Sequence, residues 1–299
     1  MNTTPHTPRA CPECLRRASL LRLLGPYVER HLTHSPSGTL LHLLAMPSQE
    51  LVATVAPNVC DQLLSQVDAM TPAQMTDSLG AAECWACCRH DELYPGQLRD
   101  LDSAPWALIA RGDPGLLAQL SPSKTVAVVG SRRATSYGRE VARQLGTDIA
   151  ARGLIVLSGL AHGIDSCAHR GALDTGRTVA VLGCGPDVVY PAAHRALWRR
   201  IGDSHLVLSE LPPGASPWRW TFPARNRIVA ALAGMTVVVE SRTRSGSQVT
   251  ADLASGLGRR LGAVPGPISS RASDGPNALL ARRATVIRDA RDVLGTLRP

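Results

Sequence analysis

The spacing of apolar residues changes near residue 124, and this change divides the chain into two kinds of structure. Between residues 18 and 70, Leu and Val recur every three or four residues, as in Leu20, Leu23 and Leu24. That spacing is typical of amphipathic helices, so we predict a small helical domain over residues 1–70. Residues 71–120 carry turn signals such as Tyr94-Pro95 and are interpreted as a connector.

After residue 124, short β-branched runs alternate with segments of about 10 to 15 residues, and each run ends in a glycine-containing turn. This alternation indicates a parallel sheet covered by helices. We therefore expect residues 121–299 to form an α/β domain with a Rossmann-like, doubly wound and mostly parallel sheet. The predicted strands are 125–129, 154–157, 178–182, 206–208, 236–239, 262–264 and 284–287, and the predicted helices are 138–152, 163–175, 192–201, 224–233 and 247–257.

Length and hydropathy place the protein among soluble globular proteins. The chain has 299 residues and is 44% hydrophobic, which suits one large domain and one smaller domain. No run approaches the roughly 20 apolar residues that span a bilayer. Residues 1–8 are polar and lack the apolar core of a secretory signal, so we expect a cytoplasmic protein.

Positive charge is concentrated in the second part of the chain. The net charge is +8 overall, but residues 1–124 carry −3 and residues 125–299 carry +11. A surplus of that size indicates a polyanionic partner, because arginines that neutralise phosphates release counterions and supply affinity without sequence preference. A solvated, Arg-rich surface is the alternative interpretation.

The turns that follow the predicted strands are the expected ligand site, because doubly wound sheets bind ligands beyond the carboxyl ends of their strands. The first turn contains Gly130, Ser131 and Arg132, which offer close backbone approach, a hydroxyl and a guanidinium to a phosphate. The GxGxxG dinucleotide fingerprint is absent from this turn. The second turn, with Ser158 and Gly159, again leads from a strand into a helix.

Two acid–base candidates follow the second turn. Asp165 is either functional or an ordinary charge at a helix N-terminus. His169 is either catalytic or a packed, hydrogen-bonded histidine, and we favour packing.

Aromatic and basic residues are gathered in one short segment of a chain that is only 3% aromatic. Aromatic stacking faces beside arginines are what single-stranded nucleic acids require. Phe222 is either such a stacking face or part of the core. A later turn adds hydroxyls and backbone N–H groups at a helix start. The candidate DNA or phosphate ligands of these two segments are Arg219, Arg225, Asn226, Arg227, Ser245, Gly246 and Ser247.

Six ordered motifs over about 140 residues resemble the DNA-processing protein A family (DprA/Smf). They are Val-Gly-Ser-Arg (129–132), Ser-Gly-Leu-Ala-x-Gly-Ile-Asp (158–165), Ala-His-x-Gly-Ala-Leu (168–173), Phe-Pro-Ala-Arg-Asn-Arg (222–227), Ser-Gly-Ser-x-x-Thr-Ala (245–251) and Val-Pro-Gly (264–266). The resemblance implies a non-enzymatic homodimer that binds single-stranded DNA in a basic pocket and helps to load the recombinase RecA. It also implies that Gly130, Ser131 and Arg132 hold a DNA phosphate, with Arg225, Asn226 and Arg227 along the same pocket.

The chain departs from the family pattern in two places. A Lys often precedes the Phe-Pro-x-Arg-Asn-Arg motif, and here Arg219 stands between two Trp residues, which preserves phosphate binding. Many members carry a C-terminal winged-helix-like domain, which we do not expect in residues 121–299.

Two alternative functions are a small-nucleotide sensor and a LOG-like nucleotide N-glycosidase. The glycosidase would need a Pro-Gly-Gly-x-Gly-Thr loop after a late strand, where this chain has Glu-Ser-Arg-Thr-Arg-Ser-Gly-Ser from residue 240.

Six of the eight cysteines lie before residue 89, where a cytosolic protein uses thiols for metal or packing more often than for disulfides. Cys11 and Cys14 have zinc-knuckle spacing, and the second half of a tetrahedral site could come from Cys84, Cys87 and Cys88 with His90. We predict a structural zinc site from these residues, with buried metal-free thiols as the alternative.

Overall fold

The computed structural model describes residues 10–36 and 38–297. Residues 1–8, on which the argument about a secretory signal rests, lie outside these ranges. Within the described part of the chain, no helix combines the length and the apolar character needed to cross a membrane.

The N-terminal region is helical, as the apolar spacing predicts. Its helices pack around one core that includes Leu20, Leu24, Leu51 and Val52. The sixth helix begins with a capping box, in which Thr71 and Gln74 satisfy each other's backbone N–H groups. The helices are α1 (Pro12–Leu23), α2 (Gly25–Thr33), α3 (Thr39–Ala45), α4 (Ser48–Val55), α5 (Cys60–Asp68) and α6 (Pro72–Ala81).

The rest of the described chain alternates strands with helices and forms one sheet. Its elements are β1 (Trp85–Cys88), α7 (Gly96–Arg99), β2 (Ala107–Gly112), α8 (Pro114–Ala118), β3 (Thr125–Val129), α9 (Ser136–Ala151), β4 (Ile155–Ser158), α10 (Ile164–Thr175), β5 (Arg177–Val181), α11 (Arg195–Ser204), β6 (Leu206–Ser209), α12 (Thr221–Leu232), β7 (Met235–Val238), α13 (Gly246–Gly256), β8 (Arg260–Ala263), α14 (Asp274–Ala281), β9 (Thr285–Val286) and α15 (Ala290–Leu297).

The nine strands lie in the order β1-β2-β6-β5-β4-β3-β7-β8-β9. From β6 to β9 all pairs are parallel, and β1 and β2 add an antiparallel edge. The chain leaves β3 in one direction through β4, β5 and β6, and returns to the other side of β3 with β7. The predicted doubly wound, mostly parallel α/β fold is therefore confirmed.

Strand residues alternate between two cores, as the two-residue period of a strand requires. In β3, Val126 and Val128 pack with α9, α10 and α15 on one face of the sheet. Ala127 and Val129 face the opposite core, which contains apolar residues of α12 and α13. Both faces of β3 are covered by helices, so its five residues are all buried.

The strands β1 and β2 were not predicted, because the segment 71–120 was interpreted as a connector. They join the sheet through β2, where Ile109 pairs with Ser209 of β6. Their outer face packs against α1 and α6 in a small core that includes Leu15, Met75 and Ile109. Part of the predicted connector thus extends the sheet. The domain boundaries at residues 70 and 120 remain a prediction.

Candidate nucleic-acid interface

A cleft of about 830 Å³ opens beyond the carboxyl ends of the central strands, at the reversal of strand order between β3 and its neighbours β4 and β7. Three backbone segments contribute most of its lining: the turn after β3, the start of α12, and the loop that leads into α13. The predicted residues that line the cleft are Gly130, Ser131, Arg132, Arg219, Arg225, Asn226, Ser245, Gly246 and Ser247.

The cleft is strongly basic. Among the described residues that line it there are seven arginines and one carboxylate, Asp165. The arginines are Arg132, Arg133, Arg219, Arg225, Arg242, Arg244 and Arg271. Positive charges that converge in a concave surface focus the electrostatic potential and attract a polyanion.

The turn after β3 is held in a fixed shape by backbone contacts. The N–H of Ser131 donates to the carbonyl of Glu240 at 2.7 Å, and the N–H of Ile164 donates to the carbonyl of Ser131 at 3.2 Å. The hydroxyl of Ser131 accepts from the N–H of Arg133 at 3.1 Å. Its hydroxyl hydrogen is then directed away from this contact and can be donated to a phosphate.

Two glycines make this turn sterically feasible. A Cβ on Gly130 would lie 2.8 Å from the carbonyl oxygen of Glu240, a distance that real Cβ atoms essentially never show. Gly163 precedes α10 with a φ of +78°, and a Cβ there would lie against the carbonyl oxygen of Ser131. Both positions therefore require glycine, because a larger residue would push apart the turn after β3 and the start of α10.

Arg132 and two aromatic rings form a stack at the wall of the cleft. The guanidinium of Arg132 lies 4.9 Å from the centre of the Phe222 ring. The Phe222 ring in turn lies 5.4 Å from the ring of Tyr190. Phe222 is partly exposed and Tyr190 is exposed, and both residues line the cleft together with the positive charge of Arg132. Phe222 therefore lines the cleft, although the sequence left its role open.

Arg225 lines the cleft and is almost fully buried. Its guanidinium donates to the carbonyl of Val181 at 3.0 Å and occupies the place where a Cβ on Gly159 would lie. Burial lowers the pKa of Arg225 and raises the pKa of the nearby carboxyl of Asp165, while the attraction between these two groups opposes both changes. Gly159 thus contributes space for an arginine, and Asp165 contributes the charge that balances it.

The start of α13 forms the opposite wall. Ser245 is the N-cap of this helix and accepts from the N–H of Gln248. The side-chain amide of Asn226 donates to the carbonyl of Gly246 at 3.1 Å, which fastens α12 to the first turn of α13. The N-terminus of an α-helix carries partial positive charge and unpaired N–H groups, so this wall favours an anion.

The segment before α12 is supported by the N-terminal helices. The indole of Trp220 is buried and donates to the carbonyl of Gly25 at 3.0 Å, and its backbone N–H donates to Glu29 at 3.2 Å. Arg219, whose side chain is 97% exposed, extends over the cleft with Glu29 4.0 Å away. Of the two Trp residues beside Arg219, at least Trp220 serves the core.

Two predicted ligands are buried away from the cleft. Arg227 is 1% exposed and forms a bidentate ion pair with Glu210, at 2.8 and 2.6 Å. Residues two apart on a helix point about 200° apart, so Arg227 faces the opposite side of α12 from Arg225. Ser158 is fully buried and donates to the carbonyl of Val128 at 2.7 Å, because the last side chain of β4 turns toward the neighbouring strand. Neither Arg227 nor Ser158 therefore lines the cleft in this structure.

His169 is a core residue, as the favoured interpretation had it. It is fully buried, and its Nδ1 lies 2.7 Å from the hydroxyl of Thr178. Burial is the main cause that lowers its pKa to about 3, so the imidazole is neutral at physiological pH.

The sequence did not single out four of the cleft arginines as ligands. Arg242 and Arg244 lie in the loop between β7 and α13, Arg133 follows Arg132, and Arg271 lies between β8 and α14. Each follows a predicted strand on the carboxyl side, so the rule that selected Arg132 would have found them.

The predicted cysteine ligands separate into two groups. Cys11, Cys14, Cys88 and His90 come together, with their four potential ligand atoms within 4.8 Å of one another, and could hold a metal ion. Cys87 does not join them, because it alternates with Cys88 along β1 and faces the opposite core. Cys84 precedes the strand, and its thiol donates to the carbonyl of Ala82. The assignment of Cys84 and Cys87 as ligands is therefore corrected.

The chain is similar to known proteins in sequence and in structure. The sequence model of DNA recombination-mediator protein A matches residues 85–298. A putative DNA processing protein DprA of Mycobacterium tuberculosis (strain H37Rv) is 47% identical over 197 residues, which cover 66% of this chain and 50% of that relative. The DNA processing protein DprA of Streptococcus pneumoniae (strain R6) is 41% identical over 205 residues, covering 68% of this chain and 71% of the relative. The chain thus spans half the length of the mycobacterial relative and more of the streptococcal one.

Two solved structures are similar over most of the chain. DNA processing protein A from S. pneumoniae superposes with a TM-score of 0.76 at 30% identity, covering 97% of this chain and 99% of that one. DNA processing protein A from Helicobacter pylori, whose structure describes a single-stranded DNA binding mode of that protein, gives a TM-score of 0.63 at 29% identity and covers 72% and 95%. The family model, the curated relatives and these structures together show that this chain belongs to the DNA recombination-mediator protein A family.

Proposed function

We propose that the protein binds single-stranded DNA in the cleft and acts as a recombination mediator. The observation that carries this proposal is the combination of seven arginines with the stack of Arg132, Phe222 and Tyr190 in one concave surface. The arginines supply affinity for phosphates, and the aromatic faces accept bases. The description of the H. pylori relative supports the same choice of ligand.

Preference for a single strand follows from the stack. Bases in a duplex are stacked on each other, so their faces are closed to protein side chains. The bases of a single strand can be separated and placed on Phe222 or Tyr190, and each such contact contributes about 1–3 kcal/mol. A polymer, with several phosphates at regular spacing, also uses more of the cleft arginines than a mononucleotide does.

We assign Arg132 and Ser131 to one phosphate, next to the close backbone approach at Gly130. The start of α13, with Ser245, Gly246 and Ser247, provides a second anion position across the cleft. Arg219 and Arg225 contribute charge between them, while Asn226 orients the helix start. In this assignment Gly159 has a supporting role, because it makes room for Arg225.

We further propose that the protein is a cytoplasmic homodimer that transfers single strands to the recombinase RecA and does not act as an enzyme. The family description as a recombination mediator supports delivery of DNA to a recombinase. The non-enzymatic role is supported by the two acid–base candidates of the sequence, which are both held in structural contacts. Asp165 accepts a hydrogen bond from the N–H of Gly159 at 3.2 Å, and His169 is enclosed in the core. Sedimentation of the purified protein tests the dimer, and RecA filament assembly on protein-coated DNA tests the transfer.

The DNA-binding proposal is tested by fluorescence anisotropy of a labelled oligo-dT with the wild type, Arg132→Ala and Arg199→Ala. Arg199 is an exposed arginine of α11 outside the cleft lining, so its variant changes the net charge equally and serves as the matched control. We expect Arg132→Ala to lose about 10-fold or more in affinity and to reduce the salt slope by about one unit. Arg199→Ala should bind as the wild type does.

Equal losses in the two variants would mean that the affinity comes from net charge alone and would refute the assignment to the cleft. If the wild type binds neither oligo-dT nor duplex at low salt, the proposed function fails. Binding of a mononucleotide in preference to oligo-dT would favour the nucleotide sensor, and release of a free base from it would favour the N-glycosidase.

A further inference from the structure

None of the four residues in the cluster of Cys11, Cys14, Cys88 and His90 lines the DNA cleft or is assigned to the DNA. The first two residues belong to the start of α1, and the other two belong to the end of β1 and the turn after it. The geometry points to a structural zinc site with three thiolates and one imidazole, which fastens the N-terminal helices to the edge of the sheet.

The spacing of the side chains fits a tetrahedral ion. The Nδ1 atom of His90 lies 3.5 Å from Sγ of Cys11, 3.7 Å from Sγ of Cys14 and 3.8 Å from Sγ of Cys88. With Zn–S bonds of about 2.3 Å and Zn–N bonds of about 2.0 Å, a tetrahedral site places sulfur and nitrogen about 3.5 Å apart. The three sulfur–nitrogen distances match this value within about 0.3 Å. The four ligand atoms lie within 4.8 Å of one another, and the sulfurs of a tetrahedral site are about 3.8 Å apart, so the ion would draw the sulfurs together by about 1 Å or less.

Local structure directs each ligand toward the same point. Cys11 is the N-cap residue of α1 and makes no side-chain capping bond, so its sulfur is available to an ion. Cys14 lies one turn further along that helix. The Cys88 sulfur accepts a hydrogen bond from the backbone N–H of Cys11 at 3.4 Å. Bonds of this kind to a ligating atom from outside the first coordination shell orient it and tune the metal.

The turn that carries His90 is itself fixed. The N–H of Asp91 donates to the carbonyl of Cys88 at 2.8 Å, which closes the turn. Between them, the guanidinium of Arg89 stacks on the Trp106 ring, 4.0 Å from its centre. The imidazole is thus held beside the thiols although His90 itself is exposed.

The donor set favours zinc over hard cations. Three soft thiolates and one imidazole in tetrahedral positions suit zinc, and hard cations such as Mg²⁺ and Ca²⁺ prefer oxygen ligands. All four ligands come from the protein, so the site is closed, as structural zinc sites are. Cys11 and Cys88 are 77 residues apart, so the ion would close a long loop and restrict the unfolded chain.

The site also has a structural consequence for α2, which follows α1 directly. Gly25 and Glu29 of α2 support Trp220 and Arg219 at the cleft. Loss of the ion should therefore loosen the N-terminal helices first and the Arg219 side of the cleft second.

The test uses the full chain, purified with a thiol reductant and without chelators. Elemental analysis should find about one zinc ion per chain in the wild type. Cys14→Ser and Cys88→Ser should lose the ion and lower the Tm. Cys84→Ser is the matched control, because Cys84 lies in the same region and outside the cluster, and it should retain the full zinc content.

If these variants fail to fold, the absorption spectrum of the wild-type protein with Co²⁺ in place of zinc tests the proposal. Replacement of zinc by Co²⁺ should give the visible bands of a tetrahedral ion and the near-ultraviolet charge-transfer band of thiolate ligands, and His90→Ala should alter the visible bands. Wild-type protein without stoichiometric metal and without this spectrum would overturn the proposal. So would a Cys84→Ser variant that loses zinc as Cys14→Ser does.

Discussion

The buried pair of Arg227 and Glu210 offers the sharpest contrast between a structural arginine and a binding arginine. Arg227 also donates to the carbonyls of Ser103 at 2.9 Å and Ala224 at 2.6 Å. Arg227→Met removes these two contacts and both bonds to Glu210, and it leaves the Glu210 carboxylate, which is 6% exposed, with the attraction of Arg17 in place of its ion pair. Breaking a buried pair from one side costs about 3–5 kcal/mol.

That loss is large against a total stability of about 5–15 kcal/mol for a globular protein. Urea unfolding followed by circular dichroism should show it as a lower midpoint with little change in slope. The double variant Glu210→Leu/Arg227→Met removes both charges and should recover part of the loss, because apolar replacements of a buried pair are often neutral.

DNA binding provides the second measurement for the same variants. If Arg227 is only structural, Arg227→Met should bind oligo-dT nearly as well as the wild type at a temperature where both are folded. Unchanged stability together with a loss of affinity as large as that of Arg132→Ala would refute the burial argument. Arg227 would then reach the DNA in a conformation that differs from this one.

Three further predictions concern single side chains. Phe222→Ala should weaken oligo-dT binding by about 1–3 kcal/mol in anisotropy titrations, whereas Phe222→Tyr should retain it, and equal losses would contradict stacking. The neutral His169 should make the protein less stable as the pH falls below 6.5, because the unfolded chain takes up the proton first, while the folded pKa is about 3. Urea unfolding should show that the free energy of unfolding falls between pH 7 and pH 5 by roughly 2 kcal/mol less in His169→Gln than in the wild type. An equal fall in the two proteins would contradict a buried, neutral His169. Gly163→Ala should destabilise the protein by about 1–3 kcal/mol because of its positive φ, and a thermal midpoint equal to the wild type would contradict the strain.

The sequence predicts the parallel part of the fold well because its central strands, such as β3, β4 and β7, contain β-branched residues and are buried on both faces. All seven predicted strands occur, with ends that differ by a few residues. The strands β1 and β2 were missed because Trp-Ala-Cys-Cys is short and the following segment carries several turn signals. Their pairing depends on a distant partner, since β2 joins β6 across almost 100 residues, and no local pattern records such a contact.

The sequence predicts which turns line the cleft better than it predicts which side chains of those segments point into it. Gly130, Ser131 and Arg132 line the cleft because a turn after a central parallel strand must lie there. Arg225 and Arg227 belong to one motif, but the helical period sends them to opposite sides of α12, and only packing shows which side faces the cleft. In the same way, the two-residue period of a strand places Cys87 and Cys88 on opposite faces of β1, and only the packing shows which of them faces Cys11 and Cys14.

The most direct test of the central claim is to locate the DNA on the protein. An oligo-dT that contains a photoreactive halogenated uracil should crosslink on irradiation, and peptide mass spectrometry would identify the attached residues, with a duplex of the same length as the control. The account predicts crosslinks at Phe222 or Tyr190 with the single strand and few with the duplex. Efficient crosslinks confined to residues outside the cleft, such as the exposed face of α11, would contradict it.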